Sequence, residues 1–149
     1  MILQHFAILQ VVIPLIASPI CILLRRSFFC WLLTLIVSWM TLGISIYLFI
    51  KIGNEELLIY ELGGWAAPWG IEYRIDYLNA FVLLILSMVA FFVVPFARQS
   101  VNKEISSDRH YLFYSMLLLC IAGLLGITIT GDAFNLFVFL EISSLSSYV

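Results

Sequence analysis

The sequence predicts an all-α transmembrane protein of five membrane-spanning helices, with a small external β-hairpin between helices 2 and 3. Three observations predict it. Of the 149 residues, 64% are hydrophobic and only 11% are charged, whereas a soluble domain carries about 25% charged residues. Mean hydropathy is +1.12, which is more apolar surface than a water-soluble core of this size hides. The charges also cluster, leaving four long windows free of Asp, Glu, Lys and Arg. The chain reads as a single membrane domain over 1–149.

The first span covers about 3–24 and contains Pro14 and Pro19. Proline withholds a backbone donor and kinks a helix, which membrane helices tolerate where neighbours serve the freed carbonyls. A cleaved signal peptide carries its positive charge before the apolar stretch. Here Arg25 and Arg26 follow it, so the segment reads as a retained helix. The second span, 27–50, is charge-free and carries Trp31 and Trp39. The third, 77–97, ends near Pro95. The fourth, 110–130, includes Gly123 and Gly126, small residues that admit a neighbouring helix closely. The fifth covers 133–149.

Between helices 2 and 3, the segments 57–62 and 71–75 are rich in β-branched and aromatic residues. They flank a Gly- and Pro-dense stretch at 63–70, which marks a turn and predicts a hairpin on the membrane surface. Trp65 and Trp69 suit an interfacial belt there. Arg25, Arg26, Arg98, Lys103 and Arg109 fall on one side of the five-span arrangement. Lys51 and Arg74 fall on the other, outnumbered by Glu55, Glu56, Glu61, Glu72 and Asp76. The excess of basic residues marks the cytoplasmic side, so the N-terminus and the 51–76 loop are expected outside and the 98–109 loop inside.

Net charge of −2 and no basic stripe argue against a nucleic-acid partner. Cys21, Cys30 and Cys120 all lie in apolar windows without paired spacing, so they read as packing residues. No nucleophile–base pair, phosphate-binding glycine loop or metal-ligand cluster is visible. Neither an enzyme site nor a cofactor is expected.

The most informative residue is Glu141, the sole formal charge in 133–149. Taking Asp132 as the water-side edge of the helix, a rise of 1.5 Å per residue puts the carboxylate roughly 13–14 Å deep. That is near the middle of a core about 30 Å thick, where an acid costs at least ~2.5 kcal/mol. Such a group pairs with a base, meets water or carries protons, so Glu141 is the candidate for a proton or ion path. Ser144 and Tyr148, three and seven residues on, share its face and offer hydroxyls. Asp132 reads first as a helix N-cap and second as an ion entry. Asn135 is a helix–helix hydrogen bonder or part of the same path. His5 and His110 read as interfacial residues.

Two segments carry a family resemblance. Gly63-Gly64-Trp65-Ala66-Ala67-Pro68-Trp69-Gly70-Ile71-Glu72-Tyr73-Arg74-Ile75-Asp76, followed by Tyr77-Leu78-Asn79-Ala80, resembles the first external hairpin of antiporter-like membrane subunits. Thr130-Gly131-Asp132-Ala133-Phe134-Asn135-Leu136-Phe137-Val138-Phe139-Leu140-Glu141 resembles the start of the fifth helix in the same proteins. The family comprises the large subunits of Mrp-type sodium/proton antiporters and the related proton-pumping subunits of complex I and membrane-bound hydrogenases. The match looks closest to the D-type branch of the Mrp antiporter subunits. It covers nearly the whole chain and roughly the first third of a family member. The hydroxyls of 143–148 depart from a more apolar family pattern.

The resemblance implies that the fifth-helix glutamate, Glu141 here, pairs with a lysine on a later helix. Further lysines or histidines then extend a polar path along the membrane centre. It implies, as partners, other membrane subunits that supply the missing helices and lysines, with protons, alone or with sodium, as the transported ions. The expected location is the cell (inner) membrane, in contact with the lipid bilayer. Two alternatives stand beside the antiporter reading: a membrane subunit of a redox-driven proton-pumping complex, and a non-conducting structural subunit.

Overall fold

The computed structural model describes residues 2–53, 57–61, 64 and 70–148. Its order is α1 (Ile2–Leu24), α2 (Ser27–Ile52), β1 (Leu58–Glu61), β2 (Glu72–Ile75), α3 (Tyr77–Glu104), a 3₁₀ turn (Ser107–Arg109), α4 (His110–Ile129) and α5 (Ala133–Ser147). Among the described residues, four helices are long and apolar enough to cross a membrane, while α5 is apolar but shorter. Its 15 residues span about 22 Å.

The third helix departs from expectation. It runs through Pro95 to Glu104, 28 residues in all, or about 42 Å. The appearance of Arg98 marks where water begins, not where the helix must end. Pro95 removes only its own donor, and Trp31 helps hold this stretch by donating from Nε1 to the Val94 carbonyl at 3.3 Å. Arg98 then lies over the Trp31 and Phe28 rings, 4.6 and 5.3 Å from their centroids. At the start of α3, Asp76 Oδ1 accepts the Asn79 amide at 2.8 Å, an N-cap.

The connection between α1 and α2 is two residues long. Arg25 makes it possible by adopting φ 49°, the left-handed region that usually falls to glycine at a helix end. The helices then pack as α1 on α4 and α2, and α2 on α3, with α5 chiefly on α4. The buried face of α2 repeats at helical spacing through Cys30, Thr34, Val37, Thr41, Ile44 and Leu48. Its hydroxyls are satisfied locally: Thr34 donates to the Cys30 carbonyl and Thr41 to that of Ser38. Large apolar side chains such as Trp39, Phe92 and Phe96 point out of the bundle, as lipid-facing residues do.

Two apolar clusters form the core. One, toward the hairpin, includes Ala7, Val11, Ile44, Leu48, Ile75, Leu83 and Ile129; the other gathers Cys21, Cys30, Val37, Tyr114 and Leu118. The opposite end is tied by His110, whose Nδ1 meets Ser27 Oγ at 2.8 Å while Nε2 meets the Ile105 carbonyl at 2.9 Å. A carbonyl only accepts, so Nε2 carries a proton. Expected at the interface, His110 sits at the end of its helix and is also buried.

The predicted hairpin is present. β1 and β2 run antiparallel with Leu58 opposite Ile75 and Tyr60 opposite Tyr73. Leu58, Tyr73 and Ile75 are buried, whereas Ile59 and Arg74 face outward, the alternation of a ribbon covered on one face. The segment 65–69, with the two tryptophans expected in an interfacial belt, lies outside the described residues.

Candidate functional site

The turn into α5 is held by hydrogen bonds from the sequence Thr130-Gly131-Asp132-Ala133-Phe134-Asn135. Asp132 Oδ2 accepts the Asn135 backbone amide at 3.0 Å, so Asp132 is the N-cap. The Asn135 side-chain amide donates to Thr130 Oγ1 at 3.0 Å, and the Gly131 amide donates to the Glu72 carbonyl at 2.8 Å. Thr130 also bridges to Tyr73 of β2. Gly131 is close enough to the hairpin that a Cβ there would lie 3.2 Å from Arg74 Cβ and 3.4 Å from the Glu72 carbonyl oxygen. Burial pushes the Tyr73 phenol up from its ordinary value, and a hydrogen bond with the Asn135 side chain pulls it the other way. The hairpin is therefore fastened to the first turn of α5.

From that turn, α5 buries Asn135, Phe139 and Ser146. Gly123 and Gly126 of α4 make room for this face. A Cβ on Gly123 would fall 2.6 Å from Ser143 Cβ, and one on Gly126 would fall 2.5 Å from the Phe139 ring. The expected close approach at these glycines is present.

Glu141 follows Phe139 by two residues, about 200° around the helix, and so faces away from α4. It is exposed, as are Ser144 and Tyr148 on the same face. The burial expected of Glu141 is not found within this chain, because α4 takes the opposite side of α5. Among the described residues its carboxylate has no ion-pair partner. Phe137, Leu140 and Leu145 flank it and are also exposed, so the acid interrupts an otherwise apolar surface. The five residues singled out from the sequence thus separate into two groups. Asp132 and Asn135 build the turn under the hairpin, and Glu141, Ser144 and Tyr148 look outward. Among the described residues, no cluster of three or more His, Cys, Asp or Glu side chains could hold a metal.

The sequence alone does not single out Tyr73 and Glu72 as parts of this arrangement. Their signal is present only as the hairpin motif, because pairing with residues 130 and 131 is a tertiary property.

No protein-family model matches the sequence. Similarity is found to individual proteins. The chain is 33% identical over 150 aligned residues to the D-type subunit of a Na⁺/H⁺ antiporter from Alkalihalophilus pseudofirmus, covering 99% of this chain and 29% of that protein. It is 40% identical over 89 residues to the N-type subunit of the NADH-quinone oxidoreductase of Desulforudis audaxviator, covering 60% of this chain and 18% of that one. Among solved structures, a chain of the membrane-bound sulfane sulfur reductase, an archaeal respiratory membrane complex, superposes with a TM-score of 0.86. That match has 29% identity and covers 97% of this chain and 29% of the other. The chain spans about three tenths of the length of the antiporter relative it matches. In sequence and in fold it is similar to part of the antiporter-like membrane subunits.

Proposed function

We propose that this chain forms part of an antiporter-like subunit in a multi-subunit cation/proton antiporter of the Mrp type, and that Glu141 contributes to its proton or ion path. The observation that carries this reading is a lone carboxylate on the outward, apolar face of α5. Left against lipid at the depth its position implies, that acid costs at least ~2.5 kcal/mol. Covered by a further helix that brings a base, the same carboxylate becomes a site where charge can change. The base is a lysine from another membrane segment, which Glu141 meets once the assembly closes over α5. The similarity to a sodium/proton antiporter subunit over 99% of the chain favours this reading.

Purified in mild detergent, the chain should bring down a membrane protein that supplies lysine-bearing helices. Reconstituted alone in liposomes, it should leave an imposed pH gradient intact when sodium is added. Robust sodium-dependent exchange by the pure chain would overturn the reading.

A second reading has its own support in the 40% identity to an NADH-quinone oxidoreductase subunit and in the respiratory-complex fold match. In it the chain serves a redox-driven pump whose electrons move elsewhere. Iron–sulfur or nickel subunits in the purified complex would favour that reading; sodium dependence would favour the first.

The proposed orientation puts the hairpin and the α4–α5 turn outside, with the α1–α2 turn and the α3–α4 connection in the cytoplasm. Its basis is the five-to-two division of the basic residues between the two sides. A cysteine introduced at Ser106 should resist an impermeant thiol reagent on intact cells and react after permeabilisation. Reaction on intact cells would reverse the assignment.

A further inference from the structure

The core near the hairpin contains one polar side chain that its protein neighbours cannot satisfy. Gln10 of α1 is fully buried and precedes Val11, which belongs to the apolar cluster of Ile44, Leu48 and Leu83. Its Nε2 lies 2.6 Å from Ser45 Oγ of α2, and its Oε1 has no partner. Ser45 Oγ in turn donates to the Leu83 carbonyl of α3 at 3.3 Å, and Ser87 Oγ donates to the same carbonyl at 2.8 Å.

A buried amide oxygen without a partner is a deficit of about 1–3 kcal/mol. With the amide turned over, the Ser45 hydroxyl would donate to Oε1, a contact whose 2.6 Å length suits O–H···O, and the Leu83 carbonyl would keep Ser87. The two Nε2 protons would then need acceptors in its place.

Pro14 has no N–H, so the carbonyl of the same residue, Gln10, loses the i+4 donor it would receive in a regular helix.

We infer that the bundle core binds an ordered water molecule at Gln10, beside the Ser45 junction of α1, α2 and α3. Water is the ligand that fits because it both donates and accepts, and so serves either amide orientation. A bare cation serves only the oxygen. It would also bring an unpaired charge into a cluster of aliphatic side chains, which is far more costly than a neutral guest. Buried waters take this role wherever polar groups outnumber protein partners.

The test is a crystal structure of the full chain in lipidic mesophase at about 2 Å. The expected result is a density peak about 2.7–3.2 Å from the amide atom of Gln10 that does not meet Ser45. The peak should be lost in Gln10→Met, which fills the space without polar atoms. The wild-type map decides the matter even if that variant does not fold. An amide bonded at both ends to protein, or left dry, overturns the inference. So does a peak that disappears when sodium is replaced by choline, which would identify a cation.

Discussion

Gly123→Ala should loosen α5 from α4 and lower the thermal midpoint of the chain in detergent by more than the same addition at Gly126 or Gly43. The added Cβ would sit 2.6 Å from Ser143 Cβ, 2.8 Å from the Ser143 backbone nitrogen and 2.9 Å from the Phe139 carbonyl oxygen. Two of these three atoms belong to the α5 backbone, so no side-chain rotation relieves the overlap and the helices must separate. Overpacking of this kind costs about 1–3 kcal/mol, and α5 packs chiefly on α4, so beyond the turn fastened to the hairpin little else holds it in place.

Gly126→Ala meets the ring of Phe139 at 2.5 Å. The clash is with a side chain and not with the α5 backbone, so its effect should be the smaller of the two. Cγ is the root of a buried ring, though, so Phe139 must repack and the loss stays well above that at Gly43. Gly43→Ala has nothing within 4 Å of the new Cβ and gains helix propensity of up to ~1 kcal/mol. It should leave the midpoint unchanged or raise it. The order to be measured is therefore Gly123, then Gly126, then Gly43, from most to least destabilised. A Gly123→Ala midpoint equal to that of Gly43→Ala would show that the α4–α5 contact does not hold the chain together.

These glycines also show where the sequence is legible. Gly123 and Gly126 stand out as small residues in an apolar window, and a close helix neighbour follows from their size. The windows themselves locate the helices because hydrocarbon excludes charge. The same reasoning misplaces the end of α3, since Arg98 reports the water boundary while backbone hydrogen bonding carries the helix on to Glu104. The hairpin is legible from its Gly- and Pro-rich centre. Its bond to Gly131 and its bridge to Thr130 are not, because nothing local links residues so far apart in sequence.

Glu141 divides along the same line. Its distance along the helix from Asp132 can be counted in the sequence, but its direction cannot. The face that α5 buries is selected by where the glycines of α4 allow contact. Once Phe139 occupies that contact, Glu141 must turn outward. The bare amide of Gln10 is likewise invisible in the sequence, where a glutamine in an apolar window gives no sign of how many partners it will find.

Glu141→Gln should abolish coupled transport in the assembled complex while leaving the amount of assembled chain unchanged. Glutamine matches glutamate in size and keeps hydrogen-bonding capacity, so it preserves whatever packing the covering helix makes. It cannot ionise. A relay requires a group that changes charge, and a general acid–base group contributes on the order of 10²-fold or more to the step it serves. Insertion should not suffer, because a neutral amide is less costly than a carboxylate against lipid. Glu141→Asp keeps the charge but draws it back by one methylene, so transport should fall only in part. Its residual activity measures how closely the partner base is placed. The rates are to be read as sodium- or proton-driven flux per unit of this chain in the purified complex. A relay gives a graded series, with Asp between wild type and Gln. A packing role gives another order, with Gln near wild type and Asp, which leaves a gap, the poorer of the two. Wild-type flux in the Gln variant would make Glu141 structural and move the path to other residues.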